Sequence, residues 1–208
     1  MRRIEKGLVI AMIMIVGSSC SDNEPDIKPA VGPQSGCPEE LAGRMAADPL
    51  FLDVRNKTEA FLLDIQKIVR EEGISGEQLR DIPEERTPGL FGLDGLDPAL
   101  EDALHGLVRR FSLDGYDEEA IQAIVGRAMA SKSSLPPLSP AKSDECQENF
   151  EDDFNEAHSS YLSSLVNCGI VTLFNPGAGA LCTLGATGRV IYDMAVAMDE
   201  YFDCVEKS

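Results

Sequence analysis

The chain has 208 residues, with 36 acidic side chains against 18 basic ones and a formal charge of −18. So acidic a chain repels nucleic-acid phosphates and anionic headgroups, which makes nucleic acid an unfavourable partner. Tryptophan is absent and aromatic residues are few, which argues against a sugar-binding groove built on stacking platforms.

The chain opens with a basic stretch containing Arg2, Arg3 and Lys6 beside a single acid, Glu5, and an apolar run follows from Leu8 to Val16. That run is too short to span a bilayer, which takes about 20 residues, and its length and flanks fit the core of a secretory signal. Gly17, Ser18 and Ser19 come directly before Cys20. This order resembles the lipobox of bacterial lipoproteins, with Gly17 standing where that motif usually carries Leu. The resemblance covers only residues 1 to 24. It implies a signal peptide over residues 1–19, cleavage before Cys20 and lipidation of Cys20. The expected address is then the outer membrane of a bacterium, reached by export, with the N-terminal lipid as the membrane contact. Losing three cations and one carboxylate takes the charge of the mature chain from −18 to −20. Ser21-Asp22-Asn23-Glu24 looks like the surface-export signal of some Gram-negative lipoproteins, which adds display at the cell surface as an expectation.

Residues 20–36 read as anchor and tether. Pro25, Pro29, Pro33, Gly32 and Gly36 interrupt them and no hydrophobic period is present. A flexible coil of this length spans roughly 20–25 Å root-mean-square.

Residues 37–131 read as helical. Asp48-Pro49 gives an N-cap followed by proline at the first helical position. Phe51, Val54, Thr58, Phe61, Ile65 and Ile68 then step by three and four, and Gly73 ends the helix in the C-cap manner. Ser75 and Gln78 form a capping-box pair. A repeat of period 20 follows, Phe91-Gly92-Leu93-Asp94-Gly95-Leu96-Asp97 against Phe111-Ser112-Leu113-Asp114-Gly115-Tyr116-Asp117. In each copy Asp-Gly makes a turn and the second Asp caps a helix. Calcium ligation by Asp94, Asp97, Asp114 and Asp117 is the functional alternative. An EF-hand loop needs more ligands at alternate positions and a closing Glu, and that pattern is missing.

Residues 132–143 are a Pro/Ser linker. Beyond it, Cys146, Cys168, Cys182 and Cys204 lie symmetrically about Asn175-Pro176-Gly177, a strong turn signal. In an antiparallel hairpin, residues equidistant from the turn face each other. The expectation over residues 144–208 is therefore a helical hairpin stapled by two nested disulfides, Cys168–Cys182 near the turn and Cys146–Cys204 at the open end. Bridging Cys146 to Cys168 inside one helix would span about 33 Å, whereas a disulfide takes about 4.4–6.8 Å between Cα atoms. The rival is four buried free thiols. Cys37 is left over, unpaired or intermolecular. The first helix carries acids at Asp144, Glu145, Glu148, Glu151, Asp152, Asp153 and Glu156, read as a solvated face rather than a cation site. No charge occurs from Leu165 to Gly188. A buried hairpin covered by the preceding helices explains that run, and a membrane-inserting hairpin is the sharper rival.

The fold expected is all-α: a helical middle region packed with, or linked to, the stapled hairpin. His105 and His158 are the only histidines, and His158 reads as a surface residue among acids. No nucleophile with a neighbouring base stands out. No cofactor or metal is implied. The expectation is a non-catalytic, lipid-anchored module that binds a protein or another extracellular ligand. A membrane-active, toxin-like hairpin and an enzyme with an acidic or metal site are the alternatives.

Overall fold

Two long helices carry the architecture, and shorter helices are laid against them. The computed structural model of the protein describes residues 38–93, 96–130 and 144–207. The long pair is α7 (Asp144–Phe174) and α8 (Pro176–Lys207), antiparallel and joined at Asn175. Each is roughly 45–50 Å long at 1.5 Å rise per residue. Asn175 ends one helix and caps the next. Its N–H donates to the Val171 carbonyl at 2.8 Å, and its side-chain oxygen accepts from the Ala178 N–H at 3.2 Å. Pro176 sits at the first helical position, where a missing N–H costs nothing.

Before the pair come α1 (Pro38–Ala46), α2 (Pro49–Glu72), α3 (Gly76–Leu79), α4 (Thr87–Leu90), α5 (Pro98–Phe111), a 3₁₀ turn (Leu113–Gly115) and α6 (Glu118–Ala128). α5 and α6 lie on α7, α3 and α4 on α8, and α2 touches both long helices. The middle region therefore packs on the hairpin, and the described elements form one compact unit with no strand among the described residues. The expected linker, residues 132–143, lies outside the described residues.

The caps follow the sequence. Asp48 accepts the Leu50 N–H at 2.8 Å, and Gly73 closes α2 in the left-handed region at φ 63°. Asp48 is also buried and pairs with Arg110 of α5 at 2.7 Å, so one carboxylate caps one helix and ties it to another. Ser75 and Gln78 make the capping box. The α2 seam runs through Phe51, Val54, Thr58, Leu62, Ile65 and Val69, with Phe61 and Ile68 at its edge. A straight helix of 3.6 residues per turn drifts away from a strict seven-residue repeat, which moves the later positions by one. Phe61 instead stacks on Tyr161, ring centroids 5.7 Å apart.

The α7 face is buried along its whole length, whereas on α8 Cys182, Ala186 and Cys204 are only half-buried and the middle of the helix carries the core. Cys146, Phe150, Phe154, Ala157, Tyr161, Leu165 and Cys168 are all buried on α7, and Val190, Met194, Ala197 and Tyr201 on α8. The disulfides are Cys146–Cys204, with Cα atoms 5.9 Å apart, and Cys168–Cys182, at 5.4 Å. The glycines of α8 allow close approach. A Cβ on Gly179 would overlap Thr172, and one on Gly188 would overlap the backbone of Glu84. Among the described residues, no helix is long and apolar enough to cross a membrane.

Candidate functional site

An acidic cleft of about 530 Å³ opens between the upper α7 face, α8 and the turn before α4. Glu84, Asp153, Glu156, Asp193 and Glu200 line it, with Arg189 as the cation. Each carboxylate has a local reason to be there. Asp153 and Glu156 belong to the acidic first turns of α7, three residues apart on one face. Asp193 and Glu200 stand on the outer side of α8, and Arg189 sits one turn before Asp193. Glu84 comes from the turn that Gly188 admits against α8.

Arg189 grips Asp193 through Nε, at 3.1 and 3.2 Å to the two carboxylate oxygens, and reaches Glu84 at 3.6 Å. The Asp193 carboxyl is still raised above the usual range, because burial outweighs the guanidinium and Glu84 and Glu156 stand close. Burial followed by repulsion from Glu200, Glu156 and Asp152 raises Asp153 as well. One arginine does not neutralise five acids, so the cleft keeps an excess of negative charge on a stapled frame. It matches a cationic group by charge. A nucleophile beside a base is not formed by these residues.

The remaining predicted residues separate. Cys20, Cys37 and Asp94 lie outside the described residues. Asp97 and Asp117 serve as caps, accepting the Ala99 and Ala120 N–H groups at 2.8 and 2.9 Å. Asp114 lies in the 3₁₀ turn. No group of three metal-ligating side chains comes together among the described residues.

His158 corrects the surface reading. It is fully buried, with Nε2 2.8 Å from the Thr58 hydroxyl of α2 and its ring edge-on to Phe154. α7 is covered by α2, α5 and α6 as well as α8, so a residue beside the acidic stripe still faces inward. Burial lowers its pKa to about 4, against a weaker upward pull from Glu59. Thr58 already donates to the helix carbonyls behind it, so the contact fits an Nε2–H donor and leaves Nδ1 bare. Tyr161, also buried, shares a 3.2 Å contact with Thr187, and its burial pushes the phenol up to about 12.

Two further features lie toward the hairpin turn. His105 of α5 lines a cavity of about 190 Å³ against α7 and α8. At the turn itself Phe174 is 78% exposed and Leu181 61% exposed, within the run that carries no charge. No known family model, curated protein or solved structure matches the chain.

Proposed function

We propose that the chain is an exported lipoprotein held at the outer membrane through Cys20, and that its helical unit is a non-catalytic module for an extracellular ligand or partner protein. The two disulfides are the observation that carries this reading. Such bonds form and persist in oxidising compartments and are rare in the cytosol, and here they staple both ends of the hairpin that frames the acidic cleft. The acidic cleft supports the binding half, since four of its five carboxylates stand on the two long helices and the cleft is left with charge to spare. Metabolic labelling with a radiolabelled fatty acid, followed by mass analysis of the N-terminal peptide, tests the anchor. The expected result is an acylated Cys20 and loss of label in Cys20→Ser. An unacylated mature N-terminus overturns the anchored reading. Protease shaving of intact cells tests cell-surface display, and a fully protected domain defeats it.

A second reading is favoured by exposed Phe174 and Leu181: the uncharged turn dips into the interface of a nearby bilayer. The full chain with Cys20→Ser is the reagent, with dye-loaded neutral vesicles. Leakage or co-flotation lost in Phe174→Asp supports it, and neither effect in oxidised or reduced protein removes it.

A further inference from the structure

Three large apolar side chains stand in water around the hairpin turn, Val171 and Phe174 of α7 and Leu181 of α8. No charge occurs on either helix from Leu165 to Gly188. The first charges beyond that run, on Glu156 and Arg189, lie about 20 Å or more from Asn175 along the helix axes. Two copies of so acidic a chain repel each other, which disfavours a second copy as the cover. The position of α1 points to a different surface. Glu39, next to the first residue of α1, pairs with Arg127 of α6 at 2.8 Å. A Cβ on the neighbouring Gly126 would meet Ser159 of α7 at 3.7 Å. The start of α1 therefore stands level with Ser159, about 22 Å from Phe174 along the hairpin. Residues 20–36 span roughly 20–25 Å as a flexible coil, and a tether acts best when its root-mean-square length matches the distance to be bridged.

We infer that the hairpin turn is a second attachment point, resting on the same bilayer that holds Cys20 and taking zwitterionic headgroups in preference to anionic ones. This rests on the anchored reading and on the bilayer reading of the turn given above, and adds which bilayer and which lipid. Three exposed side chains make a weak contact alone. A short flexible tether raises the effective concentration of the surface to the millimolar range, which makes a weak contact sufficient. The headgroup follows from α5. Asp97, Glu101 and Asp102 at its start are exposed, and Glu101 lines a cavity with Thr172 and Ala180, so acids stand beside the turn. These carboxylates stay at the headgroup level and limit the turn to the 5–10 Å that interfacial elements reach. There they repel anionic lipid and meet the outward ammonium of a zwitterionic one. A shallow contact also agrees with the absence, among the described residues, of any helix long and apolar enough to cross a membrane.

Tryptophan is absent from the chain, so Phe174→Trp supplies a single fluorescent reporter at an exposed position. The acylated full chain carrying it is reconstituted into phosphatidylcholine vesicles, with and without phosphatidylglycerol, whose acyl chains bear bromine near the headgroup. The expected result is quenching in phosphatidylcholine. Phosphatidylglycerol should shift the balance toward the unseated turn by at least about fivefold, the worth of one charge at such a surface. Added salt should restore the quenching, and so should Glu101→Gln with Asp102→Asn. Cys20→Ser should lose most of it at equal protein concentration, because the tether no longer holds the turn near lipid. Absence of quenching in both vesicle types, with acylation verified by mass, overturns the contact and the bilayer reading of the turn but leaves the anchor standing. Equal quenching in both types overturns the headgroup preference alone. Equal quenching after Cys20→Ser overturns the role of the tether. A blue-shifted emission without quenching places another protein over residue 174 and overturns the bilayer as partner. An unacylated Cys20 removes the anchored reading and this inference together.

Discussion

His158 is where a single side chain decides most. Its folded pKa, about 4, lies below the ordinary 6.5, so the folded state favours the neutral ring. The stability this contributes is fully present above pH 6.5. It falls as pH drops toward 4, because the unfolded chain takes up the proton first, and it levels off below. The full span is about 3 kcal/mol, at about 1.4 kcal/mol per pH unit. Carboxylates titrate nearby in pH, so the informative measurement is a difference. Urea denaturation of the parent and of His158→Gln should give curves that converge from pH 7 to pH 4.5, since glutamine keeps an N–H for Thr58 and cannot be charged. Parallel curves would sink the assignment. Gly188 shows the same dependence on one atom. A methyl there overlaps the Glu84 backbone, and overpacking of this kind costs about 1–3 kcal/mol. Gly185, three residues earlier on the same helix, has open space. Gly185→Ala should therefore gain up to about 1 kcal/mol from helix propensity alone. Opposite signs for the two substitutions in urea midpoints are expected. Equal effects would mean that α8 does not press on that turn.

At the level of elements, the hairpin was the most legible part of the chain. Four cysteines symmetric about Asn175-Pro176 admit antiparallel pairing and little else, and the buried faces of α7 and α8 follow the same step of three and four. Caps were legible for a related reason: Asp48, Ser75, Asp97 and Asp117 act on backbone within three residues. What spacing did not reveal is what covers α7 on its other sides. His158 looks exposed on a one-sided helix, and the helices packed on α7, with Thr58 of α2 against its ring, bury it. The acidic cleft and the His105 cavity were illegible for that reason, since each gathers residues separated by many tens of positions. Glycine at 188 was the one local hint, and it reads equally as a weak spot in a helix. The two staples should differ in weight. Chain entropy assigns about 3 kcal/mol to a closed loop near 15 residues and about 4 to one near 60, and the separations here are 14 and 58. Replacing Cys146 and Cys204 by Ala should lower stability by roughly 1 kcal/mol more than replacing Cys168 and Cys182. The reverse order in denaturant midpoints would show that the unfolded chain is already held near the turn.

Over the whole molecule, 36 acids against 18 bases leave the compact state working against its own charge. The described ion pairs do little to offset this. Lys57–Asp53 and Lys207–Asp203 are exposed pairs one helical turn apart, each worth about 0.3–0.5 kcal/mol and weakened by salt, and Arg189–Asp193 does not offset the burial of its carboxylate. Repulsion among the unpaired acids acts over longer distances and should dominate. Salt shortens the screening length from about 30 Å at 0.01 M to about 10 Å at 0.1 M. Sodium chloride should therefore raise the melting temperature between those concentrations, by roughly 2–8 °C if 1–2 kcal/mol of repulsion is removed. The cleft is where that repulsion is concentrated on rigid helices, so neutralising it should have a similar effect from within. Glu156→Gln with Glu200→Gln should raise the melting temperature at 0.01 M salt and lose most of that advantage at 0.3 M. A melting temperature that falls with salt would mean that the ion pairs win. A double variant equally stabilised at both salt levels would trace the gain to something other than charge. The expected outcome marks the cleft as a place where stability is given up to hold like charges together, which natural chains tolerate mainly where the arrangement serves binding.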